Sequence, residues 1–195
     1  MSVTYIDAIH QALDELLAED LDVFLMGEDI AGKFGGAFKA TKGLDAKYPG
    51  RVMNAPIAED AIAGVGIGAA LGGMKPILEM QFADFIMPAV NQIVSEAAKM
   101  RYRSNGDWSC PLVVRAPFGG GIHGALYHSQ SVEAMFAGTP GLKIVIPSTP
   151  YDAKGLLIAA IRDPDPVLFF EHKKAYRLLK GDVPEESYEI EIGKV

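Results

Sequence analysis

A single cysteine, Cys110, is all the thiol chemistry available to this 195-residue sequence, which excludes an internal disulfide framework and a thiolate metal cluster. That residue reads as a small packed hydrophobe rather than a nucleophile. The four histidines and the carboxylates lack the spacing of a zinc site, and His10 and His123 join no recognisable constellation. Positive charge is also short. Against 25 Asp and Glu stand 18 Lys and Arg, and the net charge of -7 argues against a broad footprint for nucleic acid or an anionic membrane. No run reaches the ~18 apolar residues of a membrane-spanning helix, and Met1 to Tyr5 lacks the basic flank and apolar core of a signal peptide. The sequence therefore reads as a cytoplasmic protein with neither nucleic acid nor membrane as a partner. Internal repeats and low-complexity tracts are missing too.

What remains is the composition of an ordinary folded domain, 49% hydrophobic and 22% charged, long enough to bury a real core. Ile6, Ile9, Leu13, Leu16 and Leu17 recur at helical spacing behind Thr4, which stands three positions before Asp7 as in a capping box. Val23 to Met26 reads as a short buried strand, and the glycine-rich run from Gly27 to Gly36 as a mobile loop. Strands are expected at Lys75 to Met80, Leu112 to Ala116, Lys143 to Ile146 and Val167 to Phe170. Helices are expected from Ala83 to Met100, with Pro88 as a kink or late start, and from Tyr151 to Ile161. Strands alternating with helices predict an α/β fold with a mostly parallel sheet flanked by helices on both faces. Ligands then collect at the carboxyl ends of the strands, where the loop Pro117 to Gly124 is a second glycine-rich candidate for mobility. Residues 1–180 read as the domain and 181–195 as a linker leading out of it.

Glu59 enters an apolar stretch, Pro56 to Gly73, that contains Gly64, Gly66, Gly68, Gly72 and Gly73. Glycine inside a helix costs about 1 kcal/mol relative to alanine, so the stretch needs a compensating reason. One reading is a dinucleotide site: Gly64 to Ala69 fits G-x-G-x-x-A, with Asp84 as the later acid, and would mark a nicotinamide-dependent oxidoreductase. That motif requires a strand directly before the glycines, whereas Pro56 to Asp60 looks like a helix start. The other reading places Gly64, Gly68 and Gly72 on one helical stripe that lets a sheet or partner subunit approach closely. Glu59 itself is either a carboxylate favoured by the helix dipole, worth about 0.3–1 kcal/mol, or a reagent.

Six blocks bear on that choice: Met26-Gly27-Glu28-Asp29, Pro56-Ile57-Ala58-Glu59, Glu79 to Phe85, Ala97 to Ser104, His128-Ser129-Gln130-Ser131 and Pro140-Gly141-Leu142-Lys143. In these blocks, and in their order, the chain from Thr4 to Val195 resembles the N-terminal pyrimidine-binding domain of the beta subunit of thiamine-diphosphate-dependent 2-oxo acid dehydrogenases. The resemblance implies that Glu59 hydrogen-bonds the pyrimidine ring nitrogen of thiamine diphosphate, that Phe85 packs on the pyrimidine face, and that Ile57 and Gln81 border the ring. It gives His128 a role at the substrate carboxylate or the enamine intermediate. It also implies a structural potassium ion at Leu112, Ala160, Ile161, Asp163 and Asp165, although Asp163 to Pro166 reads equally well as a turn before a strand.

In that family the diphosphate and its magnesium are held by an alpha subunit, so this chain is expected to supply only the pyrimidine half of an interface site. The expected assembly is an alpha2beta2 heterotetramer docked on a lipoyl acyltransferase core. Family beta subunits continue into a second α/β domain, which makes this chain a fragment on the same expectation, inactive alone. Arg101 to Trp108 and Phe169 to Arg177 look more like the branched-chain type than the pyruvate type. A pyruvate dehydrogenase beta subunit, a nicotinamide-dependent enzyme and a non-catalytic assembly domain stay open as alternatives.

Overall fold

The computed structural model describes residues 2–194. The chain opens with β1 (Ser2–Thr4), α1 (Tyr5–Glu19), β2 (Val23–Gly27), a short α2 (Leu44–Lys47), β3 (Val52–Asn54), α3 (Glu59–Leu71) and β4 (Lys75–Glu79). A helical rod from 83 to 103 ends in α4 (Met100–Arg103), and is followed by β5 (Val113–Phe118), α5 (Glu133–Phe136) and β6 (Lys143–Val145). The last elements are α6 (Pro150–Arg162), β7 (Val167–His172), α7 (Ala175–Leu178) and β8 (Lys180–Asp182).

Six strands form one sheet in the order β3-β2-β4-β5-β7-β6, every neighbouring pair parallel. Successive residues of each central strand face opposite sides, as the pleat requires. Ile77, Val113, Val167 and Phe169 join Ile9, Leu13, Leu157 and Ile158 from α1 and α6 in one core. Their sequence neighbours Leu78, Val114, Leu168 and Phe170 join Ile62 and Ile67 of α3, Ile86, Ile93 and Phe136 in the other. Burying each large side chain of this kind is worth about 1.5–3 kcal/mol, so the two cores fix the sheet between its helical layers. The expected parallel sheet with helices on both faces is the observed architecture.

Local chemistry sets the helix starts. Thr4 accepts from the Asp7 amide while Asp7 accepts from the Thr4 amide, closing the capping box. Thr149 caps α6 ahead of Pro150 at its first turn, where a missing N–H costs nothing. The 83–103 segment departs from the single helix expected: it runs as a 3₁₀ turn over Ala83–Ala89, a π turn over Gln92–Glu96, a 3₁₀ turn over Ala97–Lys99 and then α4. Pro88 has no N–H to return to the preceding turn, so an α ladder cannot be laid down there.

The run read as a mobile loop after Gly27 carries its own fastenings. Ile30 is buried, its carbonyl accepts from Thr41 Oγ1 at 2.6 Å, and the Ala31 and Gly32 amides donate to Asn54 and Asp45. Residues beyond 180 also lie against the domain. β8 pairs antiparallel with β1, Val183 is buried, and the Ile190 amide donates to the Gly155 carbonyl on α6. No helix among the described residues is long and apolar enough to cross a membrane.

Candidate functional site

Parallel register brings the ends of β2, β3, β4, β5 and β7 to one edge of the sheet. Glu28 follows β2, Ile57 and Glu59 follow β3, Gln81 to Phe85 follow β4, the loop carrying His128 follows β5, and Lys173 follows β7. Glu59 is the first residue of α3, where the helix dipole favours a carboxylate, and it is only 9% exposed. Beside it lies Glu28, 6% exposed, with Oε1 buried and unpartnered. Burial, and then the charges of Glu59 and Asp29, push the Glu28 carboxyl above the usual glutamate range.

His128 is clasped by aromatic rings. Its ring centroid lies 4.6 Å from Phe82 and 5.4 Å from Phe85, both edge to face, and those two rings contact each other at 5.6 Å. His128 Nδ1 is 3.1 Å from the Gly124 carbonyl. A carbonyl only accepts, so Nδ1 carries the hydrogen there, and in the neutral ring the lone pair lies on Nε2. Gly124 permits this approach, since a Cβ there would lie 2.5 Å from the His128 Cβ. The backbone leading to it is held at positive φ at His123 and Ala125, strain of the sort that accumulates at functional loops.

Among the residues expected to form the site, the structure joins Phe85 to His128 directly and packs the turn carrying Phe85 against α3, the helix of Glu59. Gln81 is half-buried, and Ile57 is 84% exposed at the rim. Glu28, Phe82 and Lys173 were not singled out, although Glu28 and Phe82 lie within matching blocks. Their role comes from strand register, which no local pattern announces.

Two sequence readings change. Gly64 and Gly68 lie inside α3 and not in a strand-to-helix turn, so no phosphate-binding turn exists there and the dinucleotide reading falls. The stripe Gly64, Gly68, Gly72 was expected to bring a sheet or partner close; within the chain nothing approaches Gly68. The close contact with the sheet belongs to Gly66, where a Cβ would come within 2.5 Å of Leu78.

The expected potassium residues gather at the opposite, amino end of the strands. There the Cys110 amide bonds the Pro164 carbonyl, and the Leu112 and Ala160 carbonyls accept from the Val167 and Asp163 amides. Lys143 lies 2.6 Å from Asp163, and Arg101 pairs with Asp165. Among the described residues no group of three or more His, Cys, Asp or Glu is placed to hold a metal. A cavity of about 620 Å³ opens at this same end, walled by Ala97, Ala98, Tyr102, Cys110, Pro140 and Pro166 and remote from Glu59. Burial pushes the Cys110 thiol up to about 11, in keeping with a packed, unreactive side chain.

A buried ion network ties the central strands together beneath the site. Arg115 on β5 donates to both oxygens of Glu171 at 2.6 and 2.8 Å and to Glu79 at 2.8 Å, and the Tyr176 hydroxyl donates to Glu171 at 2.6 Å. Burial opposes the guanidinium charge, but Glu171 and Glu79 outweigh it and hold Arg115 above its ordinary range. Burial raises Glu79, only partly offset by Arg115.

Known proteins resemble the chain along its whole length. Over its full length the chain is 71% identical to the 2-oxoisovalerate dehydrogenase subunit beta of Bacillus subtilis (strain 168), of which it spans 60%. It is 52% identical, over 98% of its length, to the pyruvate dehydrogenase E1 component subunit beta of Acholeplasma laidlawii, of which it spans 59%. A solved structure described as a split-gene transketolase, inactive beta4 tetramer, superimposes with a TM-score of 0.70 over 96% of this chain and 56% of that one, at 20% identity. The fold is therefore shared well beyond recognisable sequence likeness. The family model described as "Transketolase, pyrimidine binding domain" matches residues 1–178, and the chain belongs to that family.

Proposed function

We propose that this chain supplies the pyrimidine half of a thiamine diphosphate site in a branched-chain 2-oxo acid dehydrogenase, as part of its beta subunit. The observation that carries the reading is 71% identity across the whole chain to a 2-oxoisovalerate dehydrogenase beta subunit, against 52% for a pyruvate-type relative. The residues present fit an aminopyrimidine. An acid oxygen of Glu28 is buried without a donor beside Glu59, and Phe85 keeps part of its ring uncovered nearby.

Thiamine diphosphate, when bound, supplies the electron sink for decarboxylation. In this reading Glu59 holds a proton toward the pyrimidine ring nitrogen, Phe85 offers its face to the ring, and Ile57 and Gln81 border it. His128, with Nε2 free, moves a proton at the substrate, and its aromatic clasp orients it and excludes water. The diphosphate and magnesium belong to an alpha subunit, within an alpha2beta2 assembly that passes its acyl group to a lipoyl acyltransferase core in the cytoplasm. Potassium at Leu112, Ala160, Ile161, Asp163 and Asp165 belongs to the same reading, sharing the two acids with Lys143 and Arg101. A melting temperature indifferent to exchanging potassium for sodium would remove it.

The test is to assemble the chain, within its full-length beta subunit, with an alpha subunit and thiamine diphosphate and follow decarboxylation of 3-methyl-2-oxobutanoate and of pyruvate. Glu59→Gln is expected to lower kcat by about 10²–10⁴-fold. A loss of only a few-fold would overturn the role of Glu59, and a preference for pyruvate would reassign the substrate.

A further inference from the structure

The two residues after His128 are held by a side chain from another strand end. Asp84 Oδ1 accepts from the Ser129 amide at 3.2 Å and from the Gln130 amide at 3.1 Å. Asp84 is 8% exposed, and its Oδ2 is buried without a partner. A carboxylate accepting two backbone N–H groups makes charge-assisted bonds, stronger than those an amide would make. Phe82 and Phe85, which flank Asp84, are the rings that meet the imidazole. One short turn thus grips His128 by its ring and grips the chain beyond it by two hydrogen bonds.

A cation that feels this buried acid stands over the Phe82 ring. Lys173 is 4% exposed, its Nζ stands 5.3 Å from the Phe82 centroid, and the one hydrogen bond that Nζ makes among the described residues is to the Pro117 carbonyl at 3.4 Å. Burial lowers the Lys173 pKa, while the negative charge of Asp84 works to keep the ammonium. Phe82 therefore carries a cation over one face while its ring meets the imidazole.

We propose that Asp84 is a positioning residue for His128: by anchoring Ser129 and Gln130 it keeps the imidazole between Phe82 and Phe85 with Nδ1–H on Gly124 and Nε2 free. The catalytic importance of that placement rests on the function proposed above; the placement itself does not, and the two are tested separately.

Long-range ¹H–¹⁵N spectra of the chain without cofactor report the ring tautomer, His128 being assigned among four histidines by loss of its signals in His128→Gln. The parent is expected to show one Nδ1–H tautomer and Asp84→Ala a mixture. A folded Asp84→Ala that keeps the single tautomer overturns the proposal. Asp84→Asn retains the shape and one acceptor, and covers the case in which the alanine variant does not fold. In it, amide exchange at Ser129 and Gln130 should quicken about tenfold as the charge assistance is lost, with the sheet unchanged; unchanged exchange at both amides also overturns the proposal. In the assembled enzyme Asp84→Ala, or Asp84→Asn where alanine does not fold, should lower kcat, by up to about a hundredfold for alanine, with KM for thiamine diphosphate within about twofold. A raised KM at intact kcat would place Asp84 in cofactor binding instead. If the parent fails to decarboxylate any 2-oxo acid, the functional reading falls, while the tautomer and exchange results still decide the role of Asp84.

Discussion

Glu28 and Glu59 set two acids side by side in nearly dry surroundings, an arrangement that works against the stability of the chain. Because the folded state raises the Glu28 pKa, it binds that proton more tightly than the unfolded chain does. The favourable contribution is present at low pH and is lost as pH rises from the ordinary glutamate value, about 4.3, through the raised one. Glu28→Gln carries no charge to lose. At pH 7 the variant is expected to be more stable than the parent by about 1 kcal/mol, the order of an unpartnered buried group, and the difference should close at pH 4. Urea midpoints of both chains at the two pH values check this; a variant less stable at pH 7 would show that Glu28 has a partner. Residues of this kind are hard to read in advance. Glu28, Glu59, Phe85 and His128 all stand in recognisable blocks, whereas the meeting of Glu28 with Glu59 and the place of Lys173 depend on which strand ends are neighbours.

Among the elements, α3 shows how composition can announce close approach without saying which glycines meet the sheet. The glycines predict close approach by a sheet or a partner; within the chain the sheet is met at Gly66, against Leu78, and Gly68 of the stripe meets nothing. Spacing of four marks a helical stripe without saying which stripe faces the sheet; that is decided by Ile62, Ala63, Ile67 and Ala70, which are buried. The two classes of glycine should respond in opposite senses. Gly68→Ala meets nothing and should stabilise the chain by up to about 1 kcal/mol through helix propensity. Gly66→Ala forces the Leu78 side chain to move and should destabilise by about 1–3 kcal/mol. Denaturant melts of the two variants distinguish them, and equal shifts would mean that α3 is seated differently on the sheet. The segment 83–103 was less legible: Pro88 signals an interruption, but the π turn after it has no sequence signature of its own.

At the scale of the whole molecule, alternating strand and helix segments made the doubly covered sheet readable, because burial on both faces demands continuous apolar strands. The segment after Asp182 was not readable in the same way. Its polar, acidic composition fits a linker, yet it answers a need created on α6. Lys154 there is fully buried, its Nζ donating to the Pro184 carbonyl at 2.8 Å and pairing with Glu15 at 2.6 Å, with the Tyr188 ring 5.6 Å away. Gly155 beside it leaves room for Tyr188 and Ile190, and the Tyr188 hydroxyl donates to the Tyr151 carbonyl at 2.7 Å. Removing residues 184–195 would strip the ammonium of its carbonyls and open the apolar side of α6 to water. The expected loss is on the order of 2–3 kcal/mol, from the ammonium–carbonyl hydrogen bonds given up and the apolar area uncovered, while the Glu15 pair remains. Urea unfolding of the two chains tests the account: a shortened chain as stable as the parent would show that 184–195 adds nothing to the stability of the domain.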